Sequence, residues 1–274
     1  MKLTGVAAAA IISQAAFLIE AAAQVAVPVP APATADNRLP VKFVKIPTGK
    51  NASLNVIKID LSNGTLEMAH VTAADYPKRD RFDDIVRTAS PTAAINACFF
   101  DMNSGKLVGH VYKDGRREIE GSFSSAFAID SKNKPVIDRI GKLGDTSKYK
   151  LIIACVDILM KDGKVLVSSK ADLVKNGHHP SKSNDIYKPA RWSAIGIDRD
   201  GNAYLVATSA KMSIYTFVRE VKEHTCITDL LGLDGGSSTG LYYRGSVVVR
   251  PSREIASVIT VRPAEVKPQL IASR

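Results

Sequence analysis

Two short segments of this sequence end an apolar run with an acidic residue, and each could supply a catalytic carboxylate. The first runs from Ile95 to Asp101 (INACFFD) and the second from Leu233 to Ser238 (LDGGSS). The end of a rigid strand is a good platform for an active-site side chain. A structural interpretation competes in both cases: Asp101 would cap its own loop backbone, and Asp234 would open an ordinary Asp-Gly hairpin turn.

The residues after Asp234 have the composition of a binding loop. Gly235 and Gly236 let the backbone approach a ligand closely, and successive amides can form an anion-binding nest. Ser237 and Ser238 add donors for a phosphate or a sugar hydroxyl. A simple hairpin rarely needs DGGSS, so function is favoured here. The segment matches neither the glycine patterns of nucleotide phosphate loops nor the GxSxG elbow of serine hydrolases.

A third candidate lies at Arg191-Trp192-Ser193, just before an apolar run. An arginine at a strand entrance can hold a phosphate with two hydrogen bonds, and a tryptophan can stack on a sugar ring. A surface arginine and a core tryptophan explain the same pair equally well. Asn96 is a further candidate, either to bind a sugar hydroxyl or to orient Asp101.

Alternating apolar and polar residues predict the elements that must position these side chains. Strands are predicted at 41–46, 54–59, 65–71, 92–100, 107–112, 125–129, 151–159, 164–168, 193–198 and 203–208. Asn63–Gly64, Asp162–Gly163 and Asp200–Gly201 are predicted hairpin turns. Helices are predicted at 81–89 and 213–224. With no regular alternation of strand and helix, the pattern predicts an α+β fold, a strand-rich single domain with a mixed or antiparallel sheet and few helices.

Composition and charge restrict the class of partner. The chain has 274 residues, 45% hydrophobic, with a net charge of +10. These values fit one large globular domain whose surface favours anionic partners. The basic residues are scattered, with no basic arm or zinc-finger spacing, so nucleic acid is not an expected partner.

The N-terminus predicts export. Lys2 precedes an apolar stretch that ends in small residues, which is typical of a signal peptide. The predicted organisation is a signal peptide at 1–23, a Pro/Ala-rich linker at 24–40, a domain at 41–265 and a tail at 266–274. The expected location is secreted or periplasmic. The alternative is membrane anchoring through an uncleaved N-terminus.

The cysteines and histidines predict no metal site. Cys98, Cys155 and Cys226 are the three cysteines, so the sequence permits at most one disulfide and assigns no pairing. His178–His179 lies in a polar loop with a neighbouring proline and is interpreted as solvated. No CxxC or HExxH motif is present.

The order of these segments resembles the phosphodiester glycosidase family. The resemblance rests on the NACFFD loop, then RWSAIGIDRDG, then an amphipathic helix, then LDGGSS, and it covers roughly residues 50–262. The closing segment SREIASVITV is also similar to the family's last strand, which is often preceded by arginine. The chain departs from the usual pattern at Cys98 and at Trp192, and by having Ala207-Thr208-Ser209 where the family often has Asp-Gly-Arg.

The resemblance implies hydrolysis of the glycosidic bond of a sugar-1-phosphodiester in an envelope or exopolysaccharide glycan. Asp101 and Asp234 are then the catalytic candidates, since glycosyl transfer is commonly flanked by two carboxyl groups. The predicted substrate-binding residues are Asn96, Arg191, Gly235, Gly236, Ser237 and Ser238. No cofactor is expected. Two alternatives stay open: a phosphodiesterase with a divalent cation between Asp101 and Asp234, and a non-catalytic glycan-binding module.

Overall fold

The computed structural model describes residues 40–176, 178 and 185–264. The strands are β1 Val41–Gly49, β2 Ala52–Ile59, β3 Leu66–Thr72, β4 Ala93–Asn96, β5 Val111–Lys113, β6 Arg116–Ile119, β7 Ser125–Asp130, β8 Pro135–Arg139, β9 Tyr149–Cys155, β10 Ile158–Lys161, β11 Lys164–Val165, β12 Ser193–Asp198, β13 Ala203–Thr208, β14 Ile227–Gly232, β15 Leu241–Tyr243, β16 Ser246–Val249 and β17 Ser257–Pro263. The helices are α1 Phe82–Ala89, α2 Ile140–Leu143, α3 Lys170–Lys175 and α4 Ile214–His224, with short 3-10 turns at Thr146–Lys148, Asp185–Tyr187 and Gly236–Ser238.

Several predictions about the chain ends fall outside this range. The signal peptide, the tail, His179 and all of the linker except Pro40 lie outside the described residues. The domain boundaries therefore stay predictions.

The described strands form three sheets. The seven-stranded sheet has the order β1-β2-β13-β12-β14-β10-β11. The β4 sheet has the order β16-β15-β4-β17-β3, and the β9 sheet has the order β6-β5-β9-β7-β8. Neighbouring strands within these sheets pair antiparallel. The predicted strand-rich α+β fold with few helices is confirmed.

One hydrophobic core joins the sheets. It includes Ile57 from the seven-stranded sheet, Ile95 from the β4 sheet and Ile153 from the β9 sheet, all fully buried. The predicted helix at 213–224 is α4, which covers the other face of the seven-stranded sheet with Phe217 and Val221. Packing of this apolar stripe, rather than helix propensity alone, stabilises such a short helix.

The hairpin predicted at Asn63–Gly64 is wrong. A turn is present there, with Gly64 N–H donating to Leu61 O at 3.3 Å and Gly64 at a φ of 69°. However, β2 pairs with β1 and β13, whereas β3 pairs with β17. The turn therefore carries the chain from one sheet to another. Local turn chemistry fixes the reversal but not the partner of the next strand.

The continuous strand predicted at 151–159 is also wrong, and the error matters for function. The chain leaves the β9 sheet after Cys155 and enters the seven-stranded sheet at Ile158. Val156 and Asp157 occupy the gap between the two strands. Likewise, the strand predicted at 92–100 ends at Asn96, after which the chain becomes an irregular loop.

Candidate active site

A cavity of about 820 Å³ lies where segments from the three sheets meet. Its polar lining includes Asp157, His178, Arg191, Asp234, Ser237 and Arg253. Its apolar lining includes Phe99, Phe100, Met102, Phe123, Leu159, Trp192 and Ile214. An apolar cleft with a few convergent polar groups is the usual form of a small-molecule site.

Asp234 follows β14 and is the most deeply buried carboxylate of the cavity, with 4% of its surface exposed. Its backbone is fixed from three sides. The Asp234 N–H donates to Ala97 O at 3.2 Å, and Asp234 O accepts from Asn96 Nδ2 at 2.6 Å and from Ser193 Oγ at 2.8 Å. The INACFFD loop and Ser193 at the start of β12 therefore both fix the position of this carboxylate.

Burial raises the pKa of Asp234 to about 6, against the opposing effects of hydrogen bonds from Ser238 and Arg253 and of the Arg253 charge. Desolvation dominates because the charged form loses its water shell. A carboxyl with a pKa near neutrality, lining a cavity, has the properties of an acid–base or nucleophilic group.

Arg253 is the cation beside this carboxylate, and it is not among the site residues predicted from the sequence. Its Nη2 lies 3.0 Å from Asp234 Oδ2, and its Nε donates to Ser238 Oγ at 2.7 Å. Its guanidinium also lies over the Phe100 ring, 5.0 Å from the centroid. The arginine that often precedes the family's closing strand was the available signal.

Asp157 and His178 form a second polar pair in the cavity. His178 Nε2 contacts Asp157 Oδ2, and the Tyr187 hydroxyl donates to the His178 carbonyl oxygen. The hydrogen bond that the ring donates to the Asp157 carboxylate raises the pKa of His178 above its ordinary value. The interpretation of His178 as a solvated loop residue is wrong, because its side chain is half-buried against Asp157. Neither residue was selected from the sequence, since Asp157 was predicted within a strand.

Arg191 and the LDGGSS turn lie together, as a phosphate site would require. Gly236 N–H donates to Arg191 O at 2.7 Å, and Arg191 Nη1 donates to Arg250 O at 2.8 Å. Trp192 Nε1 donates to Met212 O at 2.7 Å. The Trp192 ring lies so close to Gly235 that a Cβ there would be 3.3 Å from the ring and 3.0 Å from Arg191 O. Only glycine fits this position without displacing its neighbours.

Ser237 lines the cavity, whereas Ser238 and Asn96 lie behind its wall. Ser238 is buried and supports Arg253 and Asp234. Asn96 is 1% exposed, and besides its bond to Asp234 O it accepts from Gly240 N–H at 3.0 Å. The predicted sugar contacts of Asn96 and Ser238 do not fit this geometry, because both side chains are enclosed by protein partners. Both residues position the turn instead.

Asp101 does not line the cavity. Its Oδ1 accepts from Ser104 N–H at 2.7 Å and from Ser104 Oγ at 2.8 Å. These bonds lower the pKa of Asp101, which is exposed. This is the loop-capping arrangement that competed with the catalytic one, and the predicted pairing of Asp101 with Asp234 across a substrate does not fit it. Its neighbour Met102 does line the cavity.

Two further observations concern only the described residues. No group of three or more His, Cys, Asp or Glu side chains there is arranged to hold a metal ion. No helix in the same part of the chain is long and apolar enough to cross a membrane.

Comparison with known structures identifies the fold. The catalytic domain of zebrafish N-acetylglucosamine-1-phosphodiester alpha-N-acetylglucosaminidase, auto-inhibited by its pro-peptide, is similar with a TM-score of 0.65 and 15% identity, over 84% of this chain and 86% of that one. A hypothetical protein from Synechocystis is similar with a TM-score of 0.64 and 17% identity, over 82% of this chain and 61% of that one. At such identities the likeness concerns the fold.

No curated protein matches the chain in sequence. The sequence profile of the phosphodiester glycosidases, in contrast, matches residues 89–262, which include Asp157, His178, Arg191, Asp234 and Arg253. This match covers more than half of the chain and contains the polar residues of the cavity. The chain therefore belongs to the phosphodiester glycosidase family.

Proposed function

We propose that this protein hydrolyses the glycosidic bond of a sugar-1-phosphodiester. The observation that carries the proposal is the buried Asp234 carboxylate, whose pKa is about 6, facing a cavity that also contains arginines and a His–Asp pair. Family membership supports the reaction class. The sugar and the group on the other side of the phosphate are left open.

The phosphate is held at the Arg191 side of the cavity. Arg191 supplies a planar pair of donors, and the Ser237 hydroxyl, which also lines the cavity, supplies a neutral donor beside it. The leaving group of a sugar-1-phosphodiester is a phosphate monoester, which is stable as an anion, so it needs charge stabilisation more than it needs protonation. Donors fixed before the reaction provide that stabilisation without reorganisation.

The anomeric carbon faces Asp234. In its ionised form this carboxylate stabilises the oxocarbenium-like transition state, either as a nucleophile or as the base for water. Arg253 favours the ionised form. Water adds its hydroxyl group to the anomeric carbon and releases one proton. His178, oriented by Asp157, transfers this proton to the released phosphate monoester or to solvent. Asp157 thereby takes the place predicted for Asp101.

The compartment and the natural substrate are part of the proposal. The predicted signal peptide supports a secreted or periplasmic protein, and the positive net charge of +10 favours an anionic glycan of the envelope or an exopolysaccharide. Cell fractionation followed by N-terminal sequencing tests the compartment. Retention in the cytoplasm with an intact N-terminus would contradict it.

Hydrolysis in ¹⁸O-labelled water tests the reaction. The probes are methyl glycosyl phosphates in both anomeric forms, with Asp234→Asn as the inactive control. Label in the sugar means C–O cleavage and supports the proposal. Label in the phosphate would instead identify a phosphodiesterase, and binding without turnover across the panel would identify a binding module; either result overturns the proposal.

A further inference from the structure

Cys98 and Cys155 come from distant parts of the sequence but pack against each other beneath the cavity. Cys98 follows β4 in the INACFFD loop, and Cys155 is the last residue of β9. Both are buried in the core that joins the three sheets, with 5% and 0% of their surfaces exposed. Both are free thiols in the structure.

The pairing of β5 with β9 brings the residues before β5 close to the end of β9. Val111 lies opposite Ile153, and Ala154 N–H donates to His110 O at 2.8 Å. Gly109, two residues before Val111, therefore lies beside Ala154 at the end of β9.

Gly109 lies between Cys98 and the end of β9, where a side chain would not fit. A Cβ built on Gly109 would lie 1.9 Å from Ala154 O and 3.4 Å from Cys98 Cβ. Because glycine has no side chain, Cys98 can pack close to the end of β9, next to Ala154 and Cys155. The two thiols are within hydrogen-bonding reach, and burial together with this bond raises the pKa of Cys98. Cys98 is thus a neutral thiol in the reduced fold and is unsuited to nucleophilic catalysis.

We propose that Cys98 and Cys155 form a disulfide bond, which fastens the INACFFD loop to β9 directly beneath Asp234. The bond fixes Ala97, whose carbonyl oxygen accepts from Asp234 N–H at 3.2 Å, to the strand that leads into Asp157. The disulfide thereby connects the backbone segment that supports Asp234 and Arg253 to the segment that carries Asp157, the partner of His178. Cys226 is exposed and stays a free thiol.

The chemistry is thiol–disulfide exchange during folding, while both cysteines are accessible. Each thiol loses a proton and an electron and the two sulfurs join. A small-molecule disulfide such as oxidised glutathione accepts both electrons and both protons and is released as two thiols. An oxidising compartment, as predicted for an exported protein, supplies this reactant.

Peptide mapping tests the bond on the full chain, refolded in reduced and oxidised glutathione. The protein is unfolded without reductant, alkylated, digested and analysed by mass spectrometry. We expect a peptide pair joined through Cys98 and Cys155, and alkylation of Cys226 alone. Alkylation of all three cysteines, or a bond that includes Cys226, overturns the proposal.

Thermal unfolding gives an independent measurement. Closing so long a loop should raise Tm by on the order of 10 °C, and reductant should remove that gain from the native protein and from Cys226→Ser. The Cys98→Ser/Cys155→Ser variant should not respond to reductant. Equal Tm values with and without reductant overturn the proposal. Neither measurement depends on the proposed reaction, so failure of one does not decide the other.

Discussion

Asp234 and Asp101 end similar apolar runs, yet the fold gives them opposite environments. Asp234 is buried and ion-paired with Arg253, and its pKa is raised. Asp101 is exposed and accepts hydrogen bonds from Ser104 in its own loop, and its pKa is lowered. An acid at a strand end is therefore not enough to identify a catalytic residue. What separates the two is whether the partners of the carboxylate come from nearby in sequence or from distant segments.

The partners of Asp101 are readable from the sequence, whereas the main partner of Asp234 is not. Ser104 stands three residues after Asp101, the spacing of a local turn that binds its own backbone. Arg253 lies 19 residues after Asp234 and reaches it only through the return of the chain into β17. Four predictions test the contrast between the two carboxylates.

Asp234→Asn should have the largest effect. Turnover of a glycosyl phosphodiester should fall about 10³-fold, because the cavity loses its ionisable carboxylate while the shape of the side chain is kept. Steady-state kinetics and circular dichroism together measure this. Turnover within a few fold of the native protein, in a folded variant, would remove Asp234 from the reaction.

The pH dependence of stability should have opposite signs at the two residues. The folded pKa of Asp234 is raised to about 6, so its stabilising contribution is complete below pH 4 and is lost as pH rises through 6. The free energy of unfolding of Asp234→Asn should therefore gain roughly 2 kcal/mol relative to the native protein between pH 4 and 7.

Asp101→Asn provides the matched control for this measurement. The folded pKa of Asp101 is lowered, so its contribution is present above its unfolded pKa and is lost as pH falls through the folded value. Native protein and variant should therefore converge toward low pH. Urea unfolding at a series of pH values measures both variants, and parallel curves for Asp234→Asn and the native protein would contradict the buried, proton-binding state of Asp234.

Asp157→Asn tests which acid accompanies Asp234. The hydrogen bond that His178 donates to the Asp157 carboxylate raises the pKa of the histidine. The variant should therefore lower that pKa and shift the corresponding limb of the kcat/KM profile to lower pH. Turnover should fall by up to about 10²-fold, because the histidine loses the carboxylate that orients it. An unchanged profile would place His178 and Asp157 outside the reaction.

Asp101→Asn should have the smallest effect on turnover, less than about threefold, because an asparagine oxygen can still accept from Ser104 in the same turn. Kinetics on the same substrate measure it, beside Asp234→Asn. A loss comparable to that of Asp234→Asn would restore the pairing of two motif carboxylates predicted from the sequence, and would mean that the loop rearranges on binding substrate.

The fold class and most strands could be predicted from the sequence, because the alternation of apolar and polar residues reflects which side chains of a strand are buried. It predicted α4 from Ser213, whose hydroxyl accepts from Thr216 N–H at 3.1 Å, and from the apolar stripe. It missed the break at Asp157, because an apolar run that changes sheets resembles a single buried strand. The same distinction holds for the candidate site. Asp234 and Arg191 lie in motifs that can be recognised in the sequence, whereas Asp157, His178 and Arg253 are brought together only by the tertiary structure.

The break after β9 has a practical consequence for identifying the natural ligand. Because the chain changes sheets at Val156 and Asp157, the cavity is bordered by segments that unfolding must separate. A compound seated there holds these segments together and raises the melting temperature according to its concentration and affinity. A library of glycosyl phosphates, screened by dye-monitored melting with the inactive Asp234→Asn protein, can thus rank sugars before any turnover assay exists.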